Sequence, residues 1–186
     1  MPTKAVLRRE YRAKRESFSS KELTHASTQI LERVITQNLV PDGLLMLYID
    51  SPMHKELPMQ KWFEYFKHNQ ICVPKVINSN GHMEAVLWTK DVPLIPNKWG
   101  ILEPERSAFI DSKIIKTVIV PLLCFDRYGQ RLGYGKGYYD RFLARCAKNV
   151  KTIGVSAFDA VDTIDDITAQ DHKLTCAVTP NKVYLF

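Results

Sequence analysis

At 186 residues, with 45% apolar and 25% charged side chains and no repeat, low-complexity tract or block of like charge, the chain excludes wholesale disorder and repeat architecture. It has the size of one domain with a real core, spanning residues 1–186, and its net charge of +6 points to an anionic ligand. The longest apolar stretch, residues 118–125, is interrupted by Pro121 and falls far short of the roughly 20 residues a membrane helix needs, so no span and no membrane partner are expected.

Residues 3–16 read as a helix carrying Lys4, Arg8, Arg9, Arg12, Lys14 and Arg15 against Glu10 and Glu16, a local net charge of +4. The two acidic residues weigh against a mitochondrial transit peptide. Lys4 and Arg8 lie one turn apart on the same side, the ordinary arrangement of a solvated face and also one that could clamp a polyphosphate. A second helix over 21–38 opens with Ser19 and Glu22 at capping-box spacing and stops near Pro41-Asp42-Gly43. Residues 44–49 form an apolar run of strand length, followed by a loop around Pro52 and a helix over 58–68 with Trp62, Phe63 and Phe66. Ile71–Val76 and Met83–Trp88 read as strands joined in a hairpin at Asn78-Ser79-Asn80-Gly81.

From 89 to 116 the chain has Pro93, Pro96 and Pro104 and no clear periodicity, which predicts a long functional loop holding Trp99-Gly100-Ile101-Leu102-Glu103-Pro104. Residues 117–120 are β-branched without interruption, as in a central parallel strand buried on both faces, and end at Pro121. A helix over 137–148, a strand over 151–156 and a last strand ending in Val183-Tyr184-Leu185-Phe186 follow. Strands alternating with helices predict an α/β fold with a mostly parallel sheet. Cys72, Cys124, Cys146 and Cys176 form no C-x-x-C pair and no short secreted framework, so a reducing, cytoplasmic compartment is expected.

The segment from Phe125 to Asp140 follows a buried strand and runs into a helix, with Gly133, Gly135 and Gly137 at alternate positions and Arg131 and Lys136 among them. Glycines admit an anion close to the backbone, a helix start offers unpaired N–H groups, and the cations add full charge, which together suit a phosphate. It is not a Walker A loop: Gln130 stands where the first glycine belongs and Gly137 follows the lysine. In the next helix Tyr139, Phe142, Leu143 and Cys146 make one apolar stripe, which assigns Tyr139 to packing and leaves Tyr138 beside the loop to face a ligand. Asp140 either favours the helix dipole or holds Mg²⁺ next to phosphate, and Asp171 is a second oxygen ligand of the kind Mg²⁺ takes. Glu56, in the loop after the first strand, is a ligand contact or a surface glutamate. Gly154-Val155-Ser156 lacks the second glycine of a nucleophile elbow, and no cysteine or histidine group has zinc spacing.

Lys4-x-x-Leu7-Arg8, Glu56, Val73-Pro74-Lys75-Val76, the loop from Trp99 to Pro104, Phe125-Asp126, Arg131-Leu132-Gly133, Gly135-Lys136-Gly137-Tyr138-Tyr139-Asp140 and Asp171 together resemble the 5-formyltetrahydrofolate cyclo-ligase family, also called methenyltetrahydrofolate synthetases. The resemblance implies a three-layer α/β/α domain similar to the ribose-phosphate isomerase and CoA-transferase group. It implies ATP- and Mg²⁺-dependent conversion of 5-formyltetrahydrofolate to 5,10-methenyltetrahydrofolate. ATP contacts would come from Lys4, Arg8, Arg131, Gly133, Tyr134, Gly135, Lys136, Gly137, Tyr138 and Tyr139, Mg²⁺ contacts from Asp140 and Asp171, and folate contacts from Ser51, Glu56 and Tyr138. Lys136 and Tyr138 would be catalytic, in a monomer. Three positions depart from the pattern: Tyr134 stands where many relatives have arginine, residues 157–160 lack a glutamine, and Thr175 replaces an aspartate. The rival readings are a small basic nucleic-acid-binding protein, with Tyr128, Tyr134, Tyr138 and Tyr139 among cations, and another ATP-dependent ligase on the same scaffold.

Overall fold

The computed structural model describes residues 2–97, 102–106 and 108–186, so the Trp99–Ile101 part of the expected functional loop lies outside the described residues. Helix α1, Lys4–Glu16, starts where the Thr3 hydroxyl accepts the Val6 N–H. Helix α2, Ser20–Thr36, is closed by the full capping box: Glu22 N donates to Ser19 Oγ at 3.2 Å while Ser19 N donates to the Glu22 carboxylate at 2.7 Å. Strand β1 (Leu44–Met46), helix α3 (Gln60–Tyr65) and strands β2 (Ile71–Val76) and β3 (Met83–Trp88) follow. Then come β4 (Leu94–Pro96), β5 (Leu102–Pro104), β6 (Phe109–Ile110), β7 (Ile115–Pro121), β8 (Cys124–Phe125) and β9 (Arg131–Leu132). Helix α4 (Tyr138–Leu143) and strands β10 (Lys151–Val155), β11 (Cys176–Val178) and β12 (Val183–Leu185) complete the chain.

Eight strands form one sheet in the order β12-β11-β10-β7-β1-β2-β3-β6. The five central strands are mutually parallel, and β12 on one side and β3 and β6 on the other pair antiparallel. Two-residue side-chain alternation divides the core between the faces. Leu45, Leu47, Ile71, Val73, Ile119, Ile153, Val155, Cys176 and Val178 pack with the buried stripe of α2 and with Trp62 and Phe66 near α3. Leu44, Met46, Cys72, Ala85, Val118, Val120 and Ala177 pack on the other face with Phe142 and Leu143 of α4. This is the expected α/β sandwich of three layers. A smaller cluster joins Leu7 and Tyr11 of α1 to Leu123, Cys124, Leu132 and Ile164, which anchors α1 to the β8–β9 hairpin. Among the described residues no helix is long and apolar enough to cross a membrane.

Several boundaries differ from the sequence expectations. Strand 44–49 pairs as a strand only to Met46, although Leu47 N still donates to Cys72 O at 3.0 Å. The helix expected over 58–68 is Gln60–Tyr65, because Met59, not Pro58, starts it. The helix expected over 137–148 stops at Leu143, and Arg145 turns across to β3, meeting Glu84 Oε1 at 2.6 Å and Met83 O at 2.5 Å. The aperiodic stretch contains β4, β5 and β6, each two or three residues long and too short to carry a period.

Candidate active site

The carboxyl ends of β1, β2 and β7 send out the loops that meet the glycine segment, the edge at which ligands gather in parallel α/β sheets. Asp126 builds the approach. It is 1% exposed, accepts Tyr128 N and Gln130 N on Oδ1 at 2.9 and 3.0 Å, and accepts Ile164 N on Oδ2 at 3.1 Å. This part of the glycine-rich motif is therefore a turn-former that aims β9 into the loop.

The loop itself is stitched to α1. Arg8 Nε donates to Gly133 O at 3.1 Å, and Arg12 Nη2 to Tyr134 O at 3.2 Å. Gly135 has φ +99°, and a Cβ there would lie 3.2 Å from the Arg8 guanidinium carbon, so glycine lets the arginine cross the loop closely. Gly137, at φ +67°, is the left-handed residue that begins α4. With only six residues, α4 contributes little dipole, so charge at this site comes mainly from side chains.

Two ion pairs flank the loop. Arg131 Nη2 meets Asp140 Oδ1 at 2.6 Å and its Nη1 donates to His172 O, while His172 N donates to Asp140 Oδ1 at 3.2 Å. Lys4 Nζ meets Asp171 Oδ2 at 2.7 Å, and the same oxygen accepts Thr168 N at 2.6 Å and Thr168 Oγ1 at 3.0 Å. Burial opposes the charge on Asp171, but the hydrogen bonds from Lys4 and Thr168 outweigh it and hold the carboxyl below the usual aspartate value. Burial pulls the Arg131 guanidinium down, against Asp140 and Asp171, which favour its charge. Lys136 is exposed and has no ion pair among the described residues.

A second cluster lies after β1. Ser51 N donates to the Glu56 carboxylate at 2.8 Å, and Ser51 Oγ lies 2.8 Å from His54 Nδ1. The Tyr134 hydroxyl reaches this cluster from the glycine loop, donating to His54 O at 3.4 Å and receiving Arg15 Nη1 at 2.6 Å. Burial pushes Glu56 up, with Ser51 N, Arg15 and Tyr134 pulling against it. Tyr138 Oη donates to Asn78 O at 3.1 Å, joining α4 to the β2–β3 turn, and its half-buried ring packs against the same core cluster as Tyr139. Tyr138 is thus partly a packing residue and not wholly turned to a ligand. Burial, followed by the charge of Glu56, pushes the Tyr139 phenol well up, in keeping with its expected packing role.

The residues present suit Mg²⁺ of the kind bound through phosphate. Asp140 Oδ1 and Asp171 Oδ2 are engaged, but their second oxygens have no hydrogen bond among the described residues, and one or two carboxylates with phosphate oxygens are the donor set this ion prefers. No group of three or more His, Cys, Asp or Glu suited to a metal occurs among the described residues.

Lys4, Arg8, Arg131, the loop from Gly133 to Tyr139, Asp140 and Asp171 lie together in the structure, with Ser51 and Glu56 beside Tyr134. Four of the six cations in residues 1–16 donate to the glycine loop, to Asp171 or to Leu122. Sequence reasoning missed Arg15. Its signal was present, since positions 4, 8, 11 and 15 share one helix face. Arg141 was missed too: Nε donates to Gly81 O at 3.0 Å and Nη2 to Lys136 O, fastening the loop to the hairpin turn.

A model of the 5-formyltetrahydrofolate cyclo-ligase family matches residues 1–180. Among curated proteins, the chain is 28% identical over 157 residues to a 5-formyltetrahydrofolate cyclo-ligase of Mus musculus, covering 78% of this chain and 76% of that protein. It is 26% identical over 167 residues to one of Mycoplasma pneumoniae, covering 88% and 91%. Among solved structures, the 5,10-methenyltetrahydrofolate synthetase of Aquifex aeolicus superposes with a TM-score of 0.82 over 98% of this chain and 92% of that chain, at 24% identity.

Proposed function

Because this chain belongs to the 5-formyltetrahydrofolate cyclo-ligase family and is therefore a ligase, we propose that it converts 5-formyltetrahydrofolate to 5,10-methenyltetrahydrofolate with ATP as co-substrate, releasing ADP and phosphate. What carries this reading is the convergence of Arg8, Arg131, Lys4 and Lys136 on one glycine loop at the carboxyl edge of the sheet, with a carboxylate cluster at its other side.

The formyl group is amide-like and its oxygen is a poor leaving group. Transfer of the γ-phosphoryl to that oxygen makes it a good one. N-10 then attacks the formyl carbon and loses its proton, the carbon–oxygen bond breaks, and phosphate departs to leave the methenyl bridge. Such a transfer needs positioning and charge neutralisation more than covalent help. Lys4 and Arg131 are held by Asp171 and Asp140, which leaves Lys136 as the cation able to follow the transferred phosphoryl group. Arg8 and the backbone of Gly133, Tyr134, Gly135 and Gly137 hold the polyphosphate, with Tyr139 supporting them from the core side. Glu56 and Ser51 receive the folate, and Tyr138, steadied by Asn78 O, places the formyl group. Asp140 and Asp171 would hold Mg²⁺, which supplies further neutralisation of phosphate charge. The enzyme is proposed as a monomer, and four free thiols support a cytoplasmic setting.

The test is direct: purified protein with 5-formyltetrahydrofolate and Mg-ATP should generate methenyltetrahydrofolate absorbance, with one ADP per product. No turnover, or turnover without ATP, would sink the reading.

A further inference from the structure

Arg15 is 7% exposed, and a guanidinium taken from water is retained only where its donors are used well. Its Nη2 donates to Leu122 O and its Nη1 to the Tyr134 hydroxyl at 2.6 Å. Neither partner is charged. The guanidinium lines one small space together with Glu56, and the Tyr134 hydroxyl, which donates to His54 O at 3.4 Å, links it to the loop that carries that carboxylate. A phenol has one proton to give and lone pairs to receive, so it can accept from Arg15 and donate to His54 O at once.

We propose that Arg15 is a positioning residue for the folate side of the site, acting through the Tyr134 hydroxyl and His54 O to hold in place the loop that presents the Glu56 carboxylate as an acceptor. The inference rests on the reading of Glu56 as a folate contact. A pterin presents amino and ring N–H donors, which a carboxylate receives and a protonated carboxyl receives poorly.

The surroundings of Glu56 leave this work to Arg15. From its own loop Glu56 receives Ser51 N, and Asp50 adds a like charge. Tyr48 from the β1 end and Tyr139 from α4 are phenols kept neutral by burial. From α1 comes Arg15, the one cation that favours the charge on Glu56 among these neighbours. The space between Arg15, Tyr48, Glu56 and Leu122 is about 10 Å³, no more than a single water requires, so solvent has little room to replace the guanidinium. Tyr134 is fixed at both ends, because Arg12 holds its carbonyl at 3.2 Å. The glycine loop thereby lends one of its side chains to the folate pocket.

The experiment measures equilibrium binding of 5-formyltetrahydrofolate without ATP, and separately of ATP, across about pH 5.5 to 8.5, for the full-length protein and for R15Q, Y134F and the double variant R15Q/Y134R. R15Q and Y134F should each weaken folate binding about tenfold at neutral pH, move its acid limb upward, and leave ATP affinity within about twofold. In R15Q/Y134R the cation returns from the loop side, and folate affinity should recover most of the loss. Equal weakening of both ligands by R15Q, wild-type folate binding by Y134F, or no recovery in the double variant would each overturn the inference. Should R15Q not fold, Y134F decides alone, since it removes only the hydroxyl. Failure of the wild type to bind folate at all would instead overturn the proposed function.

Discussion

Lys136 lies between two glycines of positive φ, with little packing to contribute and no carboxylate partner among the described residues. Its ammonium is therefore available to a developing phosphate charge. Lys136→Ala should lower kcat on the order of a hundredfold, about 3 kcal/mol, with an unchanged thermal midpoint. Lys148→Ala, exposed and outside the loop, is the control. Arg145→Ala cannot serve, because that guanidinium ties α4 to Glu84 and Met83 O. Asp140 has a different fate. Asp140→Asn leaves Arg131, with its side chain 6% exposed, without a countercharge, so both activity and stability should fall. Turnover should drop at least about tenfold and the Mg²⁺ needed for half-maximal rate should rise. An unchanged Mg²⁺ titration would return Asp140 to the sole work of pairing Arg131.

Helix α1 acts as one side of a clamp, because Lys4 and Arg8 leave the same face a turn apart and end on Asp171 and Gly133 O. Lys4→Ala and Arg8→Ala should each raise the KM for ATP about tenfold and the KM for folate less than about twofold. Equal effects on both substrates in steady-state kinetics would mean that the helix only supports the fold. The opposite side is the β2–β3 turn. A Cβ on Gly81 would lie 2.7 Å from Lys136 O and on top of the Arg141 guanidinium, at φ +85°. Gly81→Ala should therefore cost about 1–2 kcal/mol, roughly 3–8 °C in thermal midpoint, and slow turnover by loosening the loop. These elements differ in how far their residues announce them. The capping box of α2, the β2–β3 hairpin and the β-branched run of β7 are local signals and could be read directly. Strands β8, β9 and β11 are two or three residues long, too short to leave a period to read. Helix α4 ends early because Arg145 finds better partners on β3 than in another helical turn.

Across the whole molecule, the candidate site was legible as a set of residue types and illegible as a set of pairs. The glycines, Arg131 and Lys136 are adjacent in the chain, whereas Lys4 reaching Asp171 crosses 167 residues and no local spacing encodes it. That pair also sets a pH response. Asp171 is held below the ordinary aspartate value, so its contribution is complete above that value, near pH 4, and is lost as pH falls through the lower folded value. Thermal midpoints should fall more gently below pH about 4 for Asp171→Asn than for the wild type. Identical slopes would show that the pair contributes nothing to acid stability. The closure has one more consequence. Lys4 N donates to Asp166 Oδ1 at 2.8 Å, and Lys4 Nζ reaches Asp171, so a segment translated early must wait for one translated late. Loop-closure entropy of that span is met only once the intervening sheet has formed, which makes α1 docking a late event in folding. While Asp171 is still inside the ribosome, the nascent protein has its glycine loop but neither β11 and β12 nor a closed clamp, so catalytic competence arrives with the last part of synthesis.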